Sequence, residues 1–295
     1  MCIIDVGLPI SVARVLTPRI EELAKGMKTQ AWRVQQQEQA PLSSDFAKVP
    51  EWITTHQLSI IERRDEIIAS GNYECLKDRL PAMRSDLDLL GFDEPTGYMK
   101  PICIVPIVMI HSREVKDPPT SWADLLDERW KGRITTSAPD ILVKLLTFYA
   151  NALFGENAER LVANIVFDGI PIDTNLHVDN GEADVGIIPL PFARASRKGN
   201  VFMRWPEEGA LSIPHVVIHK KGSFEDTRAL SEFLLSEDVQ RYMSETGMLM
   251  PVHPGVPLPP EVEQNNLNLY WKGWDWFLEG LGHGLATAHV KKGIS

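Results

Sequence analysis

The chain has 295 residues, of which 44% are hydrophobic and 24% are charged, so a disordered, collagenous or coiled-coil protein is excluded and two compact domains of roughly 150 residues are expected. The net charge of −10 comes without a clustered basic run, and a nucleic-acid partner is therefore not expected. The longest apolar stretch, 102–110, contains a proline and is far shorter than the ~20 residues that span a bilayer, so no integral membrane segment is expected either.

The first part of the chain predicts alternating strands and helices. A short β-branched strand at 2–6 leads into the turn Gly7-Leu8-Pro9, and 11–25 carries apolar residues at helical spacing. Two further short strands are predicted, at 29–34 and at 66–69, and the second of them ends in Ser70-Gly71-Asn72. Strand, helix and strand in this order predict a parallel sheet that is covered by helices.

The middle of the chain contains the best-marked helix start. A β-rich segment at 99–112 is followed by a short strand that ends at Thr135-Thr136. Ser137 has the side chain of a helix N-cap, and the next residues predict a helix at 141–153. Asp173-Thr174 likewise predicts a helix start. The remaining predicted elements are a strand at 183–188, a strand at 211–219 and a helix at 223–235.

This order predicts an α/β protein with two discontinuous lobes, each a mostly parallel sheet flanked by helices. The first lobe comprises 1–103 and 215–295, and the second comprises 104–214. Two β-rich segments, near 99–112 and 201–219, would cross between the lobes and act as a hinge.

The sequence carries none of the usual signatures of catalysis or cofactor binding. It has no G-x-S-x-G, H-E-x-x-H or Walker motif, and no G-x-G-x-x-G between a strand and a helix. Cys2, Cys75 and Cys103 lack metal or redox spacing and are expected to be small buried side chains. His215 and His219 point to one face of a predicted strand but lie about 13 Å apart, too far to share a metal ion. No catalytic residue, metal or cofactor is therefore expected.

Candidate ligand contacts lie where predicted strands end in small polar residues. In a parallel sheet the carboxyl ends of the strands meet at one edge, and the free backbone N–H groups and helix N-termini there suit an oxyanion. The alternative is that Ser137 and Thr174 only cap their helices. Glu208 is added because it lies where the chain would return between the lobes. The candidates are Gly7, Leu8, Pro9, Ser70, Gly71, Asn72, Thr135, Thr136, Ser137, Thr174, Asn175 and Glu208.

Several motifs in one order resemble a known family. The stretch 119–134, PTSWADLLDERWKGRI, resembles the opening of the second lobe in type 2 periplasmic binding proteins, the solute receptors of ABC importers. The resemblance is greatest to the ferric-iron, spermidine/putrescine and thiamine branch. It continues through segments 181–187, 206–209, 213–222, 233–240 and 247–252.

The resemblance implies a monomeric receptor that closes its lobes on a small solute by hinge motion and then docks on a permease. A small anionic or oxygen-rich ligand, with or without a metal, is expected. Ferric-binding members carry adjacent tyrosines after the 181–187 motif, whereas residues 189–196 here contain none, so direct iron ligation of that type is not expected. The alternatives from other classes are a cytosolic ligand sensor and an enzyme on the same fold.

The start of the sequence bears on location. Residues 1–7 lack the basic and apolar regions of a secretory leader. The protein is therefore expected in the periplasm or outside the cell if a leader has been removed, and in the cytoplasm if the sequence is complete as written.

Overall fold

The protein is described from a computed structural model, which covers residues 2–27, 32–35, 48–138 and 140–283. Its strands are β1 (Cys2–Val6), β2 (Trp32–Gln35), β3 (Trp52–Thr55), β4 (Lys100–Ser112), β5 (Ile134–Thr136), β6 (Ile165–Phe167), β7 (Val185–Pro189), β8 (Val201–Arg204), β9 (Ala210–His219), β10 (Met250–Pro251) and β11 (Leu269–Tyr270). Its helices are α1 (Ile10–Gly26), α2 (Leu58–Ile61), α3 (Arg64–Ser70), α4 (Ser85–Leu89), α5 (Asp140–Phe154), α6 (Ala158–Asn164), α7 (Pro171–Asn180), α8 (Leu190–Ala193), α9 (Phe224–Leu235), α10 (Glu237–Glu245), α11 (Pro260–Gln264) and α12 (Trp274–His283).

The chain forms two compact units. The first consists of Met1–Ile104, Ile213–Pro260 and Lys272–Trp274, and the second of Val105–Ser212, Glu261–Trp271 and Asp275–Ser295. Strands β4 and β9 each continue from one unit into the other. The prediction placed all of 215–295 in the first lobe. Of the described residues in this range, 261–271 and 275–283 belong to the second unit instead.

The sheet of the first unit has a parallel core. β1 lies between β2 and β3 and is parallel to both, while β9 runs antiparallel to β3. Helix α1 buries Val12, Leu16 and Ile20 completely, and this i, i+4 stripe is the face that holds the helix against its neighbours. The parallel strands and their helix confirm the predicted α/β class.

The second unit repeats this plan. β5 lies between β6 and β7 in parallel register, and β4 pairs antiparallel with β7 and with β8. Helix α7 packs on β5 and β7. The strand that was predicted to end at Thr135-Thr136 is β5, which ends at Thr136. The helix predicted at 223–235 is α9, and its ends agree to within one residue.

Three short-range predictions were wrong. Residues 66–69 belong to helix α3 rather than to a strand, because only Ile67 of this run is buried and a single apolar position per turn suits a surface helix. Strand β3 was not predicted. Cys75 is exposed, with its thiol donating to the Thr96 carbonyl at 3.3 Å, although Cys103 is buried as expected. Residues 29–31 of the predicted second strand lie outside the described residues.

Candidate ligand-binding site

In the second unit, the loop that follows β5 lies at the carboxyl edge of three parallel strands. Thr136 is in register with Phe167 of β6 and Ile187 of β7. The chain then leaves the sheet through Ser137, which is fully buried. Helix α5 begins only at Asp140, so the prediction that Ser137 caps it was wrong. The Ser137 hydroxyl therefore does not serve the helix.

Helix α7 brings two more predicted residues to the same sheet. Thr174 and Asn175 lie inside the helix and are fully buried, so the predicted capping role of Thr174 was wrong. The helix begins earlier, at Pro171, whose fixed φ suits a first turn. The Thr174 methyl faces Gly186 of β7, where an added Cβ would come within 3.0 Å of it.

Four polar atoms in this region are buried and have no hydrogen-bond partner: Thr135 Oγ1, Ser137 Oγ, Thr174 Oγ1 and Asn175 Oδ1. Buried polar groups almost always have a partner, and leaving one without a partner costs about 1–3 kcal/mol. Two of these atoms lie at the end of β5 and two lie in α7, which packs on β5. We infer that this region binds a further partner, either water or a solute.

The neighbouring polar groups show which atoms are already used by the fold. The Thr136 hydroxyl donates to the Ile187 carbonyl at 2.8 Å. The Asn175 amide nitrogen donates to the carbonyls of Phe192 at 2.8 Å and Ala193 at 3.2 Å, which orients its Oδ1 as a free acceptor. The hydroxyls of Thr135, Ser137 and Thr174 are therefore left to contact a ligand.

Thr135 has a different environment. It lines a cavity of about 250 Å³ together with Asp168, His177 and Glu182. Two carboxylates in one cavity disfavour an anion, because like charges repel at short range. An oxyanion is therefore better placed at Ser137 and Thr174 than beside Thr135.

Asp179, on the last turn of α7, stabilises the loop that follows α8. Its carboxylate accepts from the Ser196 hydroxyl at 2.7 Å and from the backbone N–H groups of Arg197, Lys198 and Asn200 at 2.7, 2.8 and 3.1 Å. Burial opposes ionisation, but these hydrogen bonds outweigh it and lower the pKa of Asp179 to about 2. Asp179 has a structural role and holds α7 in place.

In the first unit, Gly7-Leu8-Pro9 follows β1 as predicted. The Gly7 N–H donates to the Thr54 carbonyl at 2.8 Å, and the Pro9 carbonyl accepts from the N–H groups that open α1. At the second residue of α1, the Ser11 hydroxyl is buried without a partner. Ser11 was not among the predicted residues.

Two histidines that the sequence analysis did not assign to the site lie near this loop. His56 follows β3, and His215 lies on β9, with ring centroids 5.2 Å apart. His215 Nε2 lies 2.9 Å from Thr54 Oγ1. The Nδ1 atom of each ring is buried without a partner. A polar residue directly after a buried strand was the signal for His56, but the strand itself was missed.

His219, four residues along the same strand, shows what a structural histidine looks like. Its two ring nitrogens lie 2.8 Å from Thr227 Oγ1 and 2.7 Å from Ser231 Oγ. Burial, together with the charge of Arg79, lowers its pKa to about 3. Both nitrogens of His219 are thus used by the fold, unlike those of His56 and His215.

The structure gives Ser70, Gly71 and Asn72 a position unsuited to an anion. They form the C-terminus of α3, with Gly71 in the left-handed conformation at φ 67°. The Ser70 hydroxyl donates to the Ile67 carbonyl at 2.7 Å and accepts from the Asn72 N–H at 3.2 Å. A helix C-terminus carries partial negative charge, which repels an oxyanion. The prediction of a strand-end loop here was wrong.

Glu208 also has partners within the fold. Its two carboxylate oxygens accept from the backbone N–H groups of Trp122 at 2.8 Å and Ala123 at 3.1 Å, at the start of a short 3₁₀ turn. Glu208 therefore caps the start of this turn, although it is distant from the turn in sequence.

The described residues were searched for grouped metal ligands and for membrane-spanning helices, and they contain neither. Among them, no three His, Cys, Asp or Glu side chains are grouped as metal ligands would be. In the same part of the chain, every helix is too short or too polar to cross a membrane.

Comparison with known proteins assigns the family. The model of the bacterial extracellular solute-binding proteins matches residues 59–279, which is most of the chain. The chain belongs to this family.

Relatives of known sequence and structure agree with the assignment. A Salmonella typhi protein with the provisional name 2-aminoethylphosphonate-binding periplasmic protein is 30% identical over 164 residues, 50% of this chain and 49% of the relative. The chain thus matches about half the length of this curated relative.

Two solved structures share the fold. The apo ferric ion-binding protein A of Pasteurella haemolytica superposes with a TM-score of 0.73 at 14% identity, over 97% of this chain and 96% of that one. The periplasmic binding protein AfuA of Actinobacillus pleuropneumoniae, with fructose-6-phosphate bound, gives 0.65 at 16% identity, over 95% and 96%. The predicted type 2 periplasmic-binding-protein fold is confirmed.

Proposed function

We propose that this solute-binding protein is the receptor of an ABC importer, acts outside the cytoplasmic membrane as a monomer, and binds a small solute that carries a phosphonate or phosphate-monoester group. It hands the solute unchanged to a permease. The receptor reading is favoured over an enzyme or a cytosolic sensor because the family consists of extracellular binding proteins.

The observation that supports this ligand class is the pair of buried hydroxyls without partners, Ser137 Oγ and Thr174 Oγ1. Hydroxyls donate to phosphoryl oxygens, and the N-terminus of α5, three residues after Ser137, adds a favourable dipole for negative charge. Asn175 Oδ1 can accept from a protonated oxygen or an amine of the same solute. Thr136 acts by holding the loop, since its own hydroxyl bonds to Ile187.

The relatives point to the same chemistry. One carries a name for 2-aminoethylphosphonate binding, and another was solved with fructose-6-phosphate. Ferric iron, the ligand named for the Pasteurella haemolytica protein, is less suited, because residues 189–196 offer no phenolate oxygen. Of the other predicted residues, Ser70, Gly71, Asn72 and Glu208 leave the proposal because the fold uses their polar groups. Gly7 and Pro9 leave it for the same reason, since the Gly7 N–H and the Pro9 carbonyl are bonded within the first unit, and Leu8 between them has no part in it.

The test is a calorimetric titration of the purified protein with 2-aminoethylphosphonate, ethylphosphonate, fructose-6-phosphate and ferric citrate. We expect at least one phosphoryl compound to bind, to raise the melting temperature, and to be recovered unchanged. Ser137→Ala should weaken that binding about tenfold or more, since a hydrogen bond to a charged group is lost. Binding of ferric citrate alone, or conversion of the compound to a product, would contradict the proposal.

A further inference from the structure

The second unit contains a cavity of about 300 Å³ at the edge of its sheet opposite to Ser137. Arg133 and Asp184, which line this cavity, come directly before the parallel strands β5 and β7. Ser137 follows β5 at its other end. Arg133 and Ser137 are therefore about 13 Å apart at the rise of an extended chain. The cavity is separate from the hydroxyls of the proposed solute site.

Trp130 lines the cavity with an indole N–H that has no partner. The residue is only 3% exposed, and its Nε1 atom is buried without a hydrogen bond. An indole N–H can only donate, so the partner that it lacks is an acceptor. Trp122, in the same unit, is the contrasting case, because its Nε1 donates to the Gly209 carbonyl at 2.8 Å. Buried donors almost always have a partner, and the open one at Trp130 therefore points to a ligand.

The charged side chains around the cavity favour a guest with a single negative charge. Lys116, Arg129 and Arg133 carry positive charge. Glu114 and Asp184 carry negative charge, which leaves one net positive charge in the lining. A singly charged oxyanion neutralises this remainder. A doubly charged phosphate is less suited, because the two carboxylates of the lining repel its second charge.

Arg129 lies on the same side of the cavity as the indole and has donors to spare. Its Cζ atom is 4.4 Å from the centroid of the Trp130 ring. One of its N–H groups donates to the Asp117 carbonyl at 3.2 Å, while its Nε lies 3.8 Å from Asp127 Oδ2, too far for a hydrogen bond. A guanidinium has five N–H donors, so others remain for a ligand. The two oxygens of one carboxylate can thus accept from the indole and from Arg129.

We propose that this cavity is a second binding site, which takes the carboxylate of a small organic acid. Trp130 Nε1 and the Arg129 guanidinium donate to the carboxylate, and the exposed Lys116 adds positive charge. Val115, half-buried in the lining, offers apolar contact to a short alkyl chain. The site does not depend on the proposed solute, since it differs from the solute site in position, in residues and in the charge of its ligand.

The experiment is an NMR titration of the isotope-labelled full chain with sodium acetate and with sodium propionate. Trp130→Phe and Trp122→Phe each remove one indole signal and thereby assign it. We expect the Trp130 indole N–H signal to shift and saturate at millimolar carboxylate. The Trp122 signal should stay in place, because its hydrogen bond to Gly209 is already made within the fold.

Substitutions test the assigned donors, with the backbone N–H of Gly181, which also lines the cavity, as the signal that is followed. Trp130→Phe should weaken acetate binding about ten- to hundredfold, the range for one hydrogen bond to a charged group. Arg129→Gln and Lys116→Gln, at exposed positions, should also weaken it and keep the test decisive if Trp130→Phe does not fold. The matched control, Trp122→Phe, should lose stability and keep the affinity for acetate.

Sodium chloride and sodium sulfate at matched ionic strength are the comparison salts. Absence of a saturable shift at Trp130 would overturn the proposal, and so would equal shifts with chloride, sulfate and acetate. Unchanged acetate affinity in both Arg129→Gln and Lys116→Gln would overturn it as well. Ser137→Ala should leave acetate binding unchanged, so failure of this inference can be told apart from failure of the proposed receptor function.

Discussion

Thr174→Val separates a binding hydroxyl from a structural one. Valine keeps the methyl that faces Gly186 and replaces the buried hydroxyl, which has no partner in the fold. Burying an unsatisfied hydroxyl costs about 1–3 kcal/mol, so its removal should raise the free energy of unfolding of the solute-free protein by about 1 kcal/mol. Urea denaturation followed by circular dichroism measures this change.

The same substitution should weaken solute binding. If Thr174 donates to a phosphoryl oxygen, the loss is about 1.5–3 kcal/mol, a ten- to hundredfold rise in Kd. The variant should therefore be more stable than wild type without solute and gain less stability when solute is added. Melting curves across a range of solute concentrations show both effects in one experiment.

Thr136→Val is the matched control. The side chain is equally buried and of the same shape, but its hydroxyl bonds to the Ile187 carbonyl at 2.8 Å. This variant should lose about 1–2 kcal/mol of stability, because a buried bond is broken and a carbonyl loses a partner. Equal destabilisation by Thr136→Val and Thr174→Val would refute the reasoning, since Thr174 would then have a partner within the fold.

Three further predictions concern stability. Below pH 4, stability should fall as the pH drops toward the lowered pKa of Asp179, about 2, because the unfolded chain then binds a proton more readily than the folded carboxylate does; Asp179→Asn should reduce this dependence in denaturation curves, and an unchanged dependence would contradict the prediction. The lowered pKa of His219, about 3, predicts that its contribution to stability is complete above pH 6.5 and is lost as the pH falls below it, because the unfolded chain then binds a proton that the fold excludes; His219→Gln should make the fall between pH 6.5 and 4 less steep than in wild type, and an unchanged slope would count against the assignment. Gly280→Ala places a Cβ 1.9 Å from the Phe148 ring and should cost about 1–3 kcal/mol by calorimetry, whereas Gly26→Ala, which meets open space, should be neutral; similar losses would show that Phe148 moves aside.

The fold was predictable because its signals extend over many residues. The helix at 223–235 repeats buried positions at helical spacing, and β9 is buried along its whole length. Short elements gave no such signal. The run at 66–69 is apolar enough for a buried strand, and only its surroundings decide that it is a surface helix. Strand β3 has four residues and was missed for the same reason.

The candidate site was predictable only in part. Residues 135–137 and residues 174 and 175 of α7 were chosen as candidates by the rule that ligands bind where parallel strands end. Which of their hydroxyls are free could not be predicted, because the Thr136 hydroxyl has a partner on β7, about 50 residues away in sequence, and the Ser137 hydroxyl has none. His56 and His215 are 159 positions apart and meet only because β3 pairs with β9.

The most direct test of the account is a crystal structure of the protein with bound 2-aminoethylphosphonate. The account predicts phosphoryl oxygens within hydrogen-bond distance of the Ser137 and Thr174 hydroxyls. A phosphonate bound away from both hydroxyls, with these atoms still lacking partners, would contradict it.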